Sequence, residues 1–511
     1  MDVTLYISGE DGKREVVVPE GTTVLAAIRD GGEHIDAPCG GIGRCKKCRV
    51  LASRKGVVGY ELACQNVVED GMEVILESPK DMVVSVAGAF EAWPRDERDC
   101  EEGLALAVDI GTTTVAMRLI DLKTGDILAT TGKSNPQIAY GADVVSRISA
   151  CVDGMLEAQR ALICNALASM AKQVFKDAKA TPEQVKRFLI AGNTTMESLA
   201  AGVDPTPIGT APYEALSLFG GPEALADPFF DALPKPIFAP CLAGYVGGDI
   251  TCGIMAVHLL QKDAPTLLID LGTNGEMALG CKTGAVSCAT AAGPVFEGAN
   301  IRCGMPAYPG AISKVVIDEG GLSYSTIGNA EPVGICGTGL IDAIACLVRL
   351  GVVDETGRFA DEDELPEHLA ACLDEDDDCV FFRIHGDVVV SQKDVRCLQL
   401  AKSAVLSGVL VMIEDLGIEC DDIKEVLIAG GFGEYLNLEN AAAIGLFPSQ
   451  LLSRTRSVGN SSLEGATQAV LSHAAADALN SVSSECRYIE LSTTPAFNEY
   501  YVENMYFEDE E

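Results

Sequence analysis

Two apolar runs in this chain each carry an acid near their end and break into the same kind of small-residue turn. LALAVDI, residues 104–110, is followed by GTT and then by TVAMRLI. TLLIDL, residues 266–271, is followed by GTN and then by GEMALG. An apolar run of this length, bounded by turn residues, predicts a buried strand, so each passage reads as strand, tight turn and outgoing strand. Such a turn lets backbone N–H groups approach a phosphate while the carboxylate, Asp109 in one copy and Asp270 in the other, faces the accompanying cation. Two such hairpins suggest a nucleotide held between two related halves.

The repetition extends further. FLIAGNTTMESLA, residues 188–200, is matched by VLIAGGFGEYLNL, residues 426–438, and GGDITCGIMAVHLL from Gly247 by LEGATQAVLSHAAA from Leu463. Three pairs in the same order indicate a duplicated α/β unit. The first copy spans residues 103–262 and the second 263–511, with an insertion at about 280–400.

Ahead of the repeat the periodicity changes. Residues 2–7 and 14–18 alternate as strands around the turn GEDGK, and TTVLAAIRDGG predicts a helix capped by Thr22 or Thr23 and stopped at Gly31. Four cysteines follow, Cys39, Cys45, Cys48 and Cys64, spaced C-x5-C-x2-C-x15-C. Four thiolates are what a [2Fe–2S] cluster needs, two per iron, and Gly40, Gly41 and Gly43 allow a close wrap with N–H groups aimed at sulfur. A structural zinc site competes, but zinc ribbons usually bring two C-x2-C knuckles and here there is one. The order hairpin, helix, cysteine loop, last cysteine resembles β-grasp ferredoxins. This places a cluster domain at residues 1–85 and a charged linker, EAWPRDERDCEEG and its approach, at 86–102.

Length and composition narrow the function classes. With 511 residues, two to four domains are expected, and 48% hydrophobic residues suffice for their cores. A net charge of −38 argues against nucleic acid and anionic membrane surfaces as partners. No apolar run approaches the roughly 18 residues of a membrane span. The nineteen cysteines, without an export signal at MDVTLYISGEDG, fit a reducing cytoplasm in which most thiols serve as small hydrophobes.

The duplicated pattern resembles the superfamily of sugar kinases, heat-shock 70 chaperones and actin, in which two ribonuclease-H-like lobes close on ATP. That resemblance implies that Asp109 holds Mg2+ through water and that Asp270 orients or deprotonates the attacking water. It implies phosphate contacts from Thr112, Thr113, Gly272, Thr273 and Asn274, and adenosine contacts from Gly430, Gly431 and Gly433. The crossing helices map onto residues 247–261 and 463–478. Gly337, Thr338 and Gly339 stand where a helix begins and free N–H groups favour an anion. Gln399 and Lys402, at helical spacing, resemble the chaperone residues that touch adenosine; a solvent-facing lysine is an equal reading of Lys402. TAAGPVFEGANIRCGMPAYPGAI, whose one acid is Glu297, carries no assigned chemistry, and the tail MYFEDEE reads as frayed.

Cluster and ATPase in one chain imply an electron transfer that is unfavourable without ATP. The whole chain resembles the reductive activators of corrinoid-dependent methyltransferases, through the four cysteines and through DIGTTT, NPQIAYGADVVSRI, AGNTTM, GYVGGD, DLGTNGE, GPVFEG, CGTGLID, QKDVRCLQLAK and AGGFGEYL. Larger members carry an extra domain after the cluster, where this chain has only the linker. The resemblance implies ATP-dependent one-electron reduction of a corrinoid protein from Co(II) to Co(I), with a low-potential electron donor upstream. Three alternatives stay open: an ATP-driven electron donor for an acyl-CoA dehydratase or aryl-CoA reductase, a small-molecule kinase with a regulatory cluster, and a redox-sensing module without turnover. The oligomeric state is open too, a homodimer included.

Overall fold

Strands and helices form where the hydrophobic pattern places them. A computed structural model describes residues 2–9, 12–32, 35, 48–54, 57–76, 90–318, 321–376, 379–430 and 436–507. Cys39, Cys45, Gly431 and Gly433 lie outside the described residues. The amino-terminal hairpin is β1 (Asp2–Gly9) and β2 (Gly12–Pro19), followed by α1 (Val24–Asp30). Thr23 is the helix cap, its hydroxyl accepting from the Ala26 N–H at 3.2 Å, and Gly31 ends the helix. Then come β3 (Arg49–Arg54), β4 (Val57–Leu62) and β5 (Met72–Ile75), in the sheet order β2-β1-β5-β3-β4 with β5 parallel to β1. Leu25 and Ile28 of α1 bury against this sheet with Leu5, Val18, Val50 and Val74, giving the ferredoxin-like domain its own core.

The linker is packed rather than free. Residues 90–102 run across the protein and are held at several points. The Trp93 indole N–H donates to the Met255 carbonyl at 3.0 Å, and its backbone N–H reaches Gln468 at 3.3 Å. Ser472 donates to the Pro94 carbonyl at 2.6 Å, and the buried Asp99 accepts from the His473 backbone N–H at 2.9 Å and contacts its ring.

The first lobe contains β6 (Leu104–Ile110), β7 (Thr114–Asp121), β8 (Ile127–Ser134), α2 (Val144–Val152), α3 (Leu156–Ala178), β9 (Val185–Gly192), α4 (Thr194–Ala201), β10 (Ile237–Phe238) and α5 (Gly248–Ala256). Its sheet runs β10-β9-β6-β7-β8, with β7 antiparallel to both neighbours and β9 parallel to β6.

The second lobe repeats this plan. It begins with β11 (Thr266–Leu271), β12 (Gly275–Cys281) and β13 (Gly284–Thr290). Next come β14 (Ala311–Asp318), β15 (Gly321–Thr326), β16 (Gly334–Ile335), α6 (Gly337–Arg349), α7 (Glu367–Ala370), β17 (Leu373–Glu375), β18 (Val380–His385) and β19 (Val388–Ser391), which form two small three-stranded sheets and their helices. The lobe closes with α8 (Gln392–Leu416), β20 (Glu425–Ala429), α9 (Leu438–Ala443), β21 (Thr455–Gly459), α10 (Ser461–Leu471), α11 (His473–Glu485), β22 (Cys486–Tyr488) and α12 (Pro495–Glu503). Its main sheet, β21-β20-β11-β12-β13-β22, has the same central order and strand directions as the first. The two lobes are thus a duplicated ribonuclease-H-like unit.

Two sequence expectations change here. Neither crossing helix runs unbroken over its expected span: the first, expected over 247–261, ends at Ala256, two residues before His258 at φ +54°, and the second, expected over 463–478, breaks where Ser472 leaves the helical conformation and caps α11. And α8, 25 residues long, is apolar enough by length and composition to cross a membrane, contrary to the expectation that no run would be. Most of α8 is buried, with Val395, Leu398, Val405, Val409 and Met412 in the second lobe's core.

Helices α5 and α10 pack closely where the lobes meet. A Cβ on Gly465 would lie 2.2 Å from the Cys252 carbonyl, and one on Gly253 would lie 2.9 Å from the Ser461 hydroxyl. Only glycine permits that approach.

Candidate nucleotide cleft and cluster site

The β6–β7 and β11–β12 hairpins project their turns into one cleft between the lobes. The cleft is lined by Asp109, Thr112, Thr113, Gly272, Thr273, Asn274, Gly337, Thr338 and Gly430, all chosen from sequence, and by Asp270 at the end of β11. The first turn is braced from behind. Asn135 donates to the Gly111 carbonyl at 2.9 Å, Arg147 to the Thr112 carbonyl at 2.6 Å, and Asn193 to the Thr112 hydroxyl at 3.0 Å. Arg147 is fully buried, and burial lowers its pKa to about 9.

Asp109 accepts from Asn460 at 2.7 Å and from Ser462 at 2.8 Å, so the first lobe's acid is held by the start of the second lobe's helix α10. Burial raises its pKa against those two hydrogen bonds. Asp270 is pushed up to about 8, first by burial and then by the charges of Asp249 and Asp109. Asp249, in the first turn of α5, and Glu276, on β12, are raised chiefly by burial as well. Among the described residues that line the cleft beside these carboxylates there is no lysine or arginine. Among the described residues no three of these carboxylates converge tightly enough to bind a metal alone.

The remaining glycines have geometric roles. Gly430 has φ +117°, and a Cβ there would stand 2.2 Å from the Leu271 carbonyl. Gly337 opens α6 with no side-chain cap, leaving N–H groups toward the cleft, while Gly339 packs against the Ile312 carbonyl.

Gln399 and Lys402 are not in this group. Gln399 donates to the Met505 carbonyl at 2.9 Å and the Thr356 carbonyl at 3.0 Å, and Lys402 donates to the Tyr506 carbonyl beneath the Phe507 ring. Both face the carboxy-terminal segment. Lys402 is buried, not solvent-facing, and Phe507 of the tail that was expected to fray is buried too.

Sequence reasoning missed Asp249, Asn193, Asn460, Ser462, Glu276 and Glu297. Glu297 accepts from Thr113 at 2.7 Å and from Thr273 at 2.5 Å through a single oxygen. The motifs AGNTTM and GYVGGD contained Asn193 and Asp249; nothing in the local pattern marked Asn460 or Ser462.

In the amino-terminal domain, Cys48 and Cys64 are buried, and the Cys64 N–H points at the Cys48 sulfur at 3.5 Å. The Gln65 amide reaches the Cys64 sulfur at 3.5 Å. Two neighbouring thiols with N–H groups aimed at sulfur fit half of a four-thiolate cluster cradle.

Family models agree with this layout: a 2Fe-2S iron-sulfur cluster binding domain matches residues 7–69, the RACo middle region residues 104–262, and the C-terminal ASKHA domain of RACo residues 264–511. The corrinoid activation enzyme RamQ of Eubacterium limosum is 32% identical over 589 residues, covering 97% of this chain and 98% of its own. The chain belongs to the RACo family of corrinoid activators. Among solved structures, a reductive activator for corrinoid, iron-sulfur protein superposes with a TM-score of 0.71 at 29% identity, covering 98% of both chains. A more distant relative, the [Co(II) methylated amine-specific corrinoid protein] reductase of Methanosarcina barkeri, is 23% identical over 78% of this chain and 76% of its own.

Proposed function

We propose that this chain is an ATP-hydrolysing activator that returns a corrinoid protein from Co(II) to Co(I) by one-electron reduction, for a methyltransferase system. The observation that carries this reading is the union of two phosphate turns, meeting in one cleft, with a ferredoxin-like domain in a single chain. Family membership supports the corrinoid protein as the partner.

Cys39, Cys45, Cys48 and Cys64 would hold the [2Fe–2S] cluster, which when bound supplies electrons one at a time. The Cys64 N–H and the Gln65 amide, aimed at sulfur, would stabilise the thiolate charge. In the cleft, Thr112, Thr113, Thr273 and Asn274 orient the terminal phosphates, and the α6 amino terminus adds N–H donors. Asp109, fixed by Asn460 and Ser462, would hold a Mg2+ brought in with ATP, an ion that when bound supplies charge neutralisation of the phosphates. Asp270, its pKa raised by burial and by the charges of Asp249 and Asp109, is the acceptor for the proton of the attacking water. Asp109, on a first-lobe strand and held by second-lobe residues, ties the two lobes together at the cleft.

Each 100 mV of uphill one-electron transfer costs about 2.3 kcal/mol, so one ATP spans a few hundred millivolts. A low-potential donor would reload the cluster, and the reducing cytoplasm suits the free thiols of the described cysteines. The acidic surface is unsuited to nucleic acid.

The deciding experiment mixes the dithionite-reduced protein with Co(II) corrinoid protein and follows the visible spectrum. Co(I) should appear with Mg2+ and ATP and not without them. Absence of ATP-dependent Co(I) with every methyltransferase corrinoid protein offered would overturn the reading.

A further inference from the structure

Glu297 sits where a phosphate oxygen should. Its Oε2 is the meeting point of two hydroxyls, one from each phosphate turn: Thr113 at 2.7 Å and Thr273 at 2.5 Å, themselves 3.3 Å apart. Those turns belong to different lobes, so a single carboxylate oxygen bridges the two jaws of the cleft. A carboxylate oxygen taking two short hydroxyl donors resembles a phosphoryl oxygen in donor geometry; burial raises the Glu297 pKa, and the two hydroxyl donors and the Arg147 charge oppose that rise. Arg147 acts on it by charge. Its guanidinium is spent on the Thr112 and Gly141 carbonyls and on the Met196 sulfur.

Glu297 ends a short turn, Pro294–Glu297, flanked by two glycines, Gly293 at φ +76° and Gly298 at φ +75°. The next carbonyl back, Phe296, lies against Gly337, where a Cβ would stand 1.8 Å from it. A shift of Glu297 therefore presses directly on the amino terminus of α6, whose N–H groups face the cleft.

We propose that Glu297 is a built-in stand-in for the terminal phosphate. It occupies the hydroxyls of Thr113 and Thr273 and keeps the lobes in register until nucleotide binds. A nucleoside triphosphate must displace it to bind, whereas a diphosphate leaves it in place. Glu297 is thus a positioning residue that sets the preference between the two. This rests on the reading that the cleft binds ATP.

The test measures binding of a non-hydrolysable ATP analogue and of ADP, each with Mg2+, by titration calorimetry of the full chain and of Glu297→Ala and Glu297→Gln. Removing the competing anion should tighten the triphosphate analogue about tenfold in Glu297→Ala. ADP affinity should stay within about twofold, less than 0.5 kcal/mol. Glu297→Gln, which keeps an acceptor without the charge, should fall between the two, and it serves if the alanine variant unfolds. Unchanged or weaker analogue binding in both variants, with the wild type binding both nucleotides, overturns the proposal. A wild type that binds neither nucleotide overturns instead the nucleotide reading of the cleft.

Discussion

Trp93 stacks on His258, with ring centroids 4.5 Å apart and planes inclined by 16°. His258 lies just past helix α5, and its Nε2 is 3.0 Å from the Glu91 carbonyl. Trp93 also reaches Gln468 on α10. The linker is thereby bound to both helices that cross between the lobes.

Trp93 is the only tryptophan in the chain. Binding of a non-hydrolysable ATP analogue should therefore change the intrinsic tryptophan emission, because lobe closure shifts α5 against α10. Trp93→Phe, which loses the bond to the Met255 carbonyl, should keep ATP hydrolysis but lower ATP-dependent cobalt reduction about threefold. Stopped-flow fluorescence and the cobalt assay check the two halves.

Asp270→Asn should reduce ATP hydrolysis by about 10²- to 10⁴-fold, the usual worth of a positioned base. The visible spectrum of the reconstituted cluster should be unchanged. Phosphate release and absorbance, measured on one preparation, separate these effects.

The buried acids predict an unusual pH response. Asp270 titrates near 8 in the folded, nucleotide-free protein against an ordinary carboxylate value of 3.8. The folded state therefore binds more protons than the unfolded state in that window, and stability falls as pH rises through it, by at most about 1.4 kcal/mol per pH unit for one group. Asp109, Asp249 and Glu276, also raised, act in the same direction. Nucleotide-free protein should melt lower at pH 8 than at pH 6, and Asp270→Asn should flatten the slope. A calorimetric Tm series shows the sign.

Lys402→Ala should lower the Tm by several degrees, since it removes the anchor of the Tyr506 carbonyl and the packing over Phe507. Nucleotide affinity should stay within about twofold of wild type. A large loss of ATP affinity would return Lys402 to the nucleotide site.

Cys64→Ser should abolish the cluster's visible absorbance and its low-temperature EPR signal while leaving ATP hydrolysis intact. The two domains have separate cores, so loss of the cluster should not unfold the lobes.

The parts legible in sequence were those written as local patterns. The two hairpins announced themselves because apolar strands, an acid and a small-residue turn are contiguous, and repeated order exposed the duplication. The cysteine spacing did the same for the ferredoxin-like domain. What escaped depends on contacts between distant segments. Spacing put Gln399 and Lys402 on one face of α8, but only the path of the tail, about a hundred residues on, decides what that face meets. Ser472 ends α10 because it accepts from the Ala475 N–H at 3.3 Å, within a run of alanines that otherwise reads as continuous helix. Asn460 and Ser462 matter only because Asp109, some 350 residues earlier, folds against them. Glu297 stood out as a lone acid in a glycine-rich stretch, yet its chemistry required both turns to be in place.

The anchored linker also gives the two activities a common mechanical joint. Residues 90–102 are fastened to α5 through Trp93 and the Met255 carbonyl, to α10 through Gln468 and to the start of α11 through Asp99 and His473. The chain that carries the ferredoxin-like domain therefore joins the ATPase where its two lobes meet, and a change in the angle between α5 and α10 is delivered to the electron carrier at its point of attachment.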